Sequence, residues 1–165
     1  MNVKLKNFLF FLLSLGVVSL IAYLGTILVI PNINSWYATI NKPSFNPPSY
    51  LFSPVWTILF ILMAIAFFLV LRDCFSKGQD KRYFRAAVLS FGAQLLLNLY
   101  WSFLFFFTHE PGLAFFGLIS LWLMIIVNIY YFSKINKAAA YLLSPYLLWV
   151  AYAGVLNYAI WVLNV

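Results

Sequence analysis

Five apolar runs, each about the length of a bilayer crossing, leave this chain almost no soluble way to fold. A spanning helix needs about 20 mainly apolar residues to cross ~30 Å of hydrocarbon. Runs over 5–30, 54–71, 83–107, 113–132 and 139–163 meet or approach that length. They predict an all-α integral membrane protein, a five-transmembrane-helix bundle forming one domain over 1–165. Only 8% of the residues are charged, where a soluble domain has roughly 25%. So few charges could not cover a soluble surface. The formal charge of +7 would suit nucleic acid, but the basic residues lie in short clusters between apolar runs and form no basic face. No nucleic-acid partner is expected. The lipid bilayer is.

Orientation follows from where those clusters fall. Lys4, Lys6, Arg72, Lys77, Lys81, Arg82, Arg85, Lys134 and Lys137 all sit at one set of span ends, and Lys42 alone sits at the other. Nine against one predicts the N-terminus inside, the C-terminus outside and the first loop outside. That placement suits a bacterial inner membrane. The stretch Lys77 to Arg85 reads first as an orientation signal and second as a surface for anionic lipid or a protein partner. Lys4 and Lys6 before an apolar run resemble a signal peptide. That run is too long for one and no small-x-small cleavage site follows, so it reads as a retained first span.

The boundaries carry their own chemistry. Pro31-Asn32 is expected to stop span one. Ser53 reads as the N-cap of span two, with Pro54 in its first turn. Pro145 either marks the start of span five or kinks its first turns. The turns near 108–112 and 134–138 are short and force antiparallel neighbours, while the loop over 31–53 is long. It holds Trp36-Tyr37, Lys42-Pro43 and Pro47-Pro48, and from Ser35 to the entry of span two it carries four of the seven prolines. A loop so rich in rings reads as an ordered, functional lid.

Several chemistries lack their parts. The acids are Asp73, Asp80 and Glu110, and the one histidine is His109; all lie in loops or at span ends. No span centre carries an ionisable group of the kind proton-coupled transporters use. No base stands beside a nucleophile, and no metal-ligand set is present. His109-Glu110 reads as a polar turn. Cys74 stands alone, so no intrachain disulfide forms.

What remains is neutral and aromatic. Ser90, Gln94, Asn98 and Ser102 recur every four residues in span three, a polar stripe that should face the bundle interior. Ser90 and Ser102 suit interhelical hydrogen bonds as well as they suit a ligand. Asn98, one turn from Trp101 and two from Phe105, reads as a binding residue. Trp149, Ala153, Asn157 and Trp161 share a face of span five, where Ala153 leaves a gap for a flat ligand or for another helix. Trp56, Phe60 and Ala64 share a face of span two. Trp36, Tyr83, Tyr141 and Trp161 fit interfacial anchors; Trp149 lies too deep for that. These groups converge in the outer half of the bundle, under the first loop, on an aromatic pocket for a large, flat, apolar ligand. A single outer-turn histidine argues against axial ligation of a haem iron, so no cofactor is expected. Ala86, Ser90 and Ala93 form a small-residue face on the third span where a second copy would pack, in competition with the polar stripe for Ser90.

The motifs also resemble a known family. Trp36-Tyr37, Lys42-Pro43, Pro47-Pro48, Val55-Trp56, Asn98-Leu-Tyr-Trp-Ser102, Phe105-Phe106, Leu143-Ser-Pro-Tyr-Leu-Leu-Trp149 and Ala153-Gly-Val-Leu-Asn157-Tyr-Ala-Ile-Trp161 are similar to the TSPO/MBR family of tryptophan-rich sensory and translocator proteins, in order and over nearly the whole chain. The resemblance implies a five-helix bundle, often dimeric, whose first loop covers a pocket for porphyrins, sterols and drug-like aromatics. It assigns Tyr37 and Pro47 to the lid, and Asn98, Trp101 and Ala153 to the pocket. Trp56 and Trp149 become the pair implicated in light-dependent porphyrin degradation. Porphyrin is then a ligand and not a resident cofactor. The sterol pattern of animal members needs a basic residue after the Tyr158 segment, and none stands there. A membrane sensor or translocator for tetrapyrroles is the leading expectation. A passive transporter of aromatic or sterol-like solutes, and a non-catalytic membrane adaptor, are the alternatives.

Overall fold

Hydrocarbon offers a backbone no hydrogen-bonding partners, so a spanning chain must satisfy its amides within its own helices. The computed structural model describes residues 2–77 and 80–165 and shows this outcome throughout. Met1, Gly78, Gln79 and the Lys77 side chain, the last three in the expected basic loop, lie outside the described residues. The helices are α1 (Val3–Ile33), α2 (Trp36–Thr39), α3 (Phe52–Lys77), α4 (Lys81–Ser102), α5 (Pro111–Ile135), α6 (Lys137–Leu142) and α7 (Ser144–Leu163). Among the described residues five stretches are long and apolar enough to span a membrane, α6 and α7 together forming the fifth.

The observed boundaries correct three expectations and decide between the two readings of Pro145. Pro31 does not stop α1, which runs on to Ile33. A proline ring disturbs only the turn before it. Side chains hold that last stretch: Thr26 Oγ1 donates to the Ala22 carbonyl at 2.8 Å, Asn32 Nδ2 to Leu28 at 3.0 Å and Ser35 Oγ to Pro31 at 2.7 Å. Ser53 is not an N-cap. A 3-10 turn over Ser49–Leu51 runs directly into α3, and the Ser53 carbonyl accepts from Thr57 Oγ1 at 2.9 Å. Span two reaches Lys77, well past 71. Pro145 interrupts a helix already begun at Lys137: α6 ends at Leu142, the N–H of its C-cap Leu143 donates to Ala140 at 3.2 Å, and α7 resumes at Ser144.

Packing is uneven around the bundle. α5 lies between α4 and α7 and makes broad contact with both. Its turn with α4 is closed by a contact only glycine allows: a Cβ on Gly112 would stand 2.9 Å from the Trp161 indole. α1 leans on α3 and buries only Ser14, Val18 and Ile21, a narrow stripe on an otherwise apolar helix. At the basic end the carboxylate of Asp73, which is 1% exposed, binds Arg72 at 2.7 Å and accepts from Asn136 Nδ2 at 2.8 Å. That ties α3 to the α5–α6 junction. Lys6 Nζ sits 4.8 Å from the Phe75 ring and joins α1 to the same end.

Candidate functional site

The polar stripe of α4 points inward, as its spacing required. Ser90, Gln94, Asn98 and Ser102 are all buried. The stripe divides by depth. Toward the basic end, Asn128 Nδ2 donates to Ser90 Oγ at 3.2 Å and Gln94 Nε2 to Met63 Sδ at 3.8 Å, so this half joins helices. Ser90 is therefore spent inside the bundle, which removes it from the small-residue face expected with Ala86 and Ala93. Toward the lid, Asn98 Nδ2 donates to the Tyr146 hydroxyl at 3.2 Å, and Asn98 and Ser102 reach a cavity.

That cavity measures about 460 Å³, within the range of small-molecule sites. Tyr37, Trp56, Asn98, Trp101, Phe105, Trp149 and Ala153 line it together. Trp56 stacks on Trp101 with centroids 6.3 Å apart and planes 25° apart, and Trp101 stacks on Phe105 at 5.8 Å and 29°. Trp101 Nε1 donates to Asn157 Oδ1 at 3.1 Å, and Asn157 Nδ2 donates to the Pro111 carbonyl at 2.6 Å. Asn157 lines the cavity with its amide fully used, a strut fixing the indole. Trp149 enters from α7, edge-on to Phe52 at 6.2 Å. Trp161 leaves the face it was expected to share with Trp149 and covers Gly112 instead. Pro47 stays in the lid and off the cavity wall; its carbonyl accepts from Asn46 Nδ2 at 3.0 Å.

A change of helix geometry falls in the aromatic wall. Residues Phe103–Phe107 form a π-helical turn, closed by the Thr108 N–H on the Phe103 carbonyl at 3.0 Å. Trp101, Ser102, Leu104, Phe105 and Phe106, in and beside this turn, are all buried. Such turns recur at functional sites.

The lid is fastened at several points. The Tyr37 hydroxyl donates to Asn46 Oδ1 at 2.7 Å, and the Tyr152 hydroxyl to the Phe45 carbonyl at 2.9 Å. Asn41 and Asn164 exchange bonds: the Asn41 N–H donates to Asn164 Oδ1 and Asn164 Nδ2 to the Asn41 carbonyl, both at 2.9 Å. Burial pushes the Tyr37 phenol up to about 12, only partly offset by its bond to Asn46. His109 is more than a polar turn. Its ring stacks on Trp36 at 4.4 Å, and its Nε2 lies 3.2 Å from Asn32 Oδ1. Its backbone is left-handed at φ 58°, where glycine is the usual residue. Trp36 also meets Phe105 edge-on at 5.4 Å, so it faces inward and is not an interfacial anchor.

Sequence reasoning missed the α1 wall of the cavity: Val18, Gly25, Thr26 and Val29. It also missed Tyr146, which is wholly buried, meets Trp56 edge-on at 6.2 Å and holds Asn98. Among the described residues no three His, Cys, Asp or Glu side chains gather. The site offers stacking surfaces and neutral hydrogen-bonding groups.

Comparison with known proteins gives a concordant result. The TspO/MBR family model matches residues 11–162. A tryptophan-rich protein TspO of Chlorobaculum tepidum is 39% identical over 160 residues, 96% of this chain and 98% of that one. A protein of the same name from Archaeoglobus fulgidus is 35% identical, over 96% and 99% of the two chains. The translocator protein of Bos taurus is 34% identical over 129 residues, 76% of this chain and 73% of its own.

Proposed function

Because this chain belongs to the TspO/MBR family of integral, multi-pass membrane proteins, we propose that its cavity binds porphyrins and similar flat, apolar molecules, as a sensor or translocator. One observation carries this reading. A cavity of about 460 Å³ is faced by Trp56, Trp101, Phe105 and Trp149, with Ala153 leaving room between the rings. Indole and phenyl faces hold a macrocycle by stacking, at about 0.5–1.5 kcal/mol per aromatic pair beyond the area buried. The porphyrin is a ligand here and not a resident cofactor. With nine of ten basic residues at the far end of the bundle, the lid faces the outside of a bacterial inner membrane. A homodimer through the third span would use its exposed stripe of Leu89, Leu96 and Tyr100, Ser90 being buried.

Trp56 and Trp149 approach the cavity from α3 and α7. Under light, either indole donates one electron to the photoexcited macrocycle, leaving an indole radical cation and a porphyrin radical anion. Dioxygen then serves as the oxidant for ring opening.

Titrating purified protein with protoporphyrin, dark and illuminated, beside Trp56→Phe and Trp149→Phe, tests both levels. The proposal predicts saturable tryptophan quenching in all three proteins and light-dependent Soret loss that is fastest in the parent and slowed in each single variant. Saturable binding with Soret loss unchanged in the variants removes the photochemical step and leaves a carrier or sensor. No saturable binding overturns the reading.

A further inference from the structure

The cavity is fastened where it meets the lid, although Ser49 is exposed there, and open where it meets the bilayer. On the lid side, Tyr152–Phe45 and the reciprocal Asn41–Asn164 pair hold the cover down, and Tyr37–Asn46 braces it internally. On the far wall, Trp101, Ser102, Phe105, Leu156, Asn157 and Ile160 are buried. The lining residues of α1 and α3 differ. Ser19, Thr26 and Ile30 on α1, and Ser53, Thr57 and Ile61 on α3, line the cavity and are also exposed. Ile30 is 63% exposed and Ile61 50%.

Depth makes this a membrane opening. At 1.5 Å per residue, Ile61 lies ~13 Å below the start of α3, and Ser19 ~21 Å below the end of α1. Toward the basic end the same two helices close on one another, with Phe10 stacked on Phe75 at 5.1 Å and Phe11 edge-on to Phe68 at 5.8 Å. They are parted along the cavity and joined below it. Of the four hydroxyls on the seam, those of Thr26 and Thr57 are already used, donating to the Ala22 and Ser53 carbonyls within their own helices.

We propose that ligands enter and leave this cavity sideways, from the lid-side leaflet, through the seam between α1 and α3. Its ligands are then solutes already dissolved in the bilayer, and the lid shapes the pocket without gating it. This rests on the reading of the cavity as a site for flat, apolar molecules.

The test measures protoporphyrin exchange by stopped-flow tryptophan quenching, with the full chain in nanodiscs. Ile30→Trp with Ile61→Trp narrows the mouth. Ile30→Ala with Ile61→Ala widens it at exposed positions, where folding is little affected. Asn41→Cys with Asn164→Cys, on a Cys74→Ser background, locks the lid when oxidised and frees it when reduced. Narrowing should slow association and dissociation together by about tenfold or more. Widening should speed both, and locking the lid should leave both within about twofold. Lid-locked protein that no longer exchanges, beside mouth variants with parental rates, would overturn side entry while leaving the site intact. Absence of saturable binding in the parent would instead bring down the reading of the cavity and this proposal with it.

Discussion

The two long walls of the cavity are made differently. The α4–α7 wall is a set of interlocked rings and amides: Trp101 stacks on Trp56 and Phe105, Asn157 grips the Trp101 indole and Pro111, and Tyr146 holds Asn98. On the opposite side α3 adds Phe52, Trp56 and Phe60, while the α1 face offers only small and aliphatic side chains, several of them exposed, and α1 buries only three residues in 31. Close packing fixes a binding surface in one geometry, and sparse burial leaves a segment free to give way. A site for a rigid, flat ligand needs both properties. Here they are separated onto opposite helices.

The largest effects are expected in the interlocked wall. Trp101→Ala removes three ring contacts, to Trp56, Phe105 and Phe106, and leaves Asn157 Oδ1 without its donor. It should cost about 3–5 kcal/mol, read as a shift of the unfolding midpoint in mixed micelles. A midpoint within about 0.5 kcal/mol of the parent would mean that this wall is no more rigid than the other. Asn157→Ala leaves the Trp101 indole N–H unpaired and takes a second donor from the Pro111 carbonyl, and should cost about 1–3 kcal/mol by the same assay. In the open wall, Thr57→Ala should stay within about 0.5 kcal/mol of the parent, because its hydroxyl only bonds back to its own helix. A larger loss there would erase the contrast between the walls.

The smallest effect concerns the lid that joins them. The phenol of Tyr37 ionises near 12, above its ordinary value of 10.0. A raised pKa means that the folded lid holds the proton longer than an unfolded one. Its contribution is complete below pH 10 and is lost as pH rises toward 12. Trp36 emission should therefore be steady up to about pH 10 and change above it, while Tyr37→Phe, with no phenol to ionise, should lack that step. An identical step in the variant would remove Tyr37 as the fastening group.

This difference between the walls also decided what could be read from the sequence. The five spans follow from run length alone, because hydrocarbon enforces it. Trp56, Asn98, Trp101, Phe105, Trp149 and Ala153 stood out as rings, amides or gaps among aliphatic residues, and all six line one cavity. The α1 wall gave no such signal: a helix apolar on every side does not mark the face it turns to a cavity. The π-helical turn was hidden in the run Phe103–Phe107, where consecutive phenylalanines fit any helix type. The His109–Trp36 stack joins residues far apart in the chain, and neither residue predicts the other. Pro31 and Ser53 carried ordinary end signals that a longer helix and a leading 3-10 turn overrode.

The central claim is that the flat ligand occupies the cavity between these two walls. Ala153→Phe tests it most directly, since it places a ring in the gap that Ala153 leaves on the α7 wall. Protoporphyrin titration followed by tryptophan quenching should show saturable binding in the parent and a loss of about tenfold or more in affinity in Ala153→Phe, with the unfolding midpoint retained. Parental affinity in a variant whose cavity is filled would place the ligand elsewhere and contradict the account.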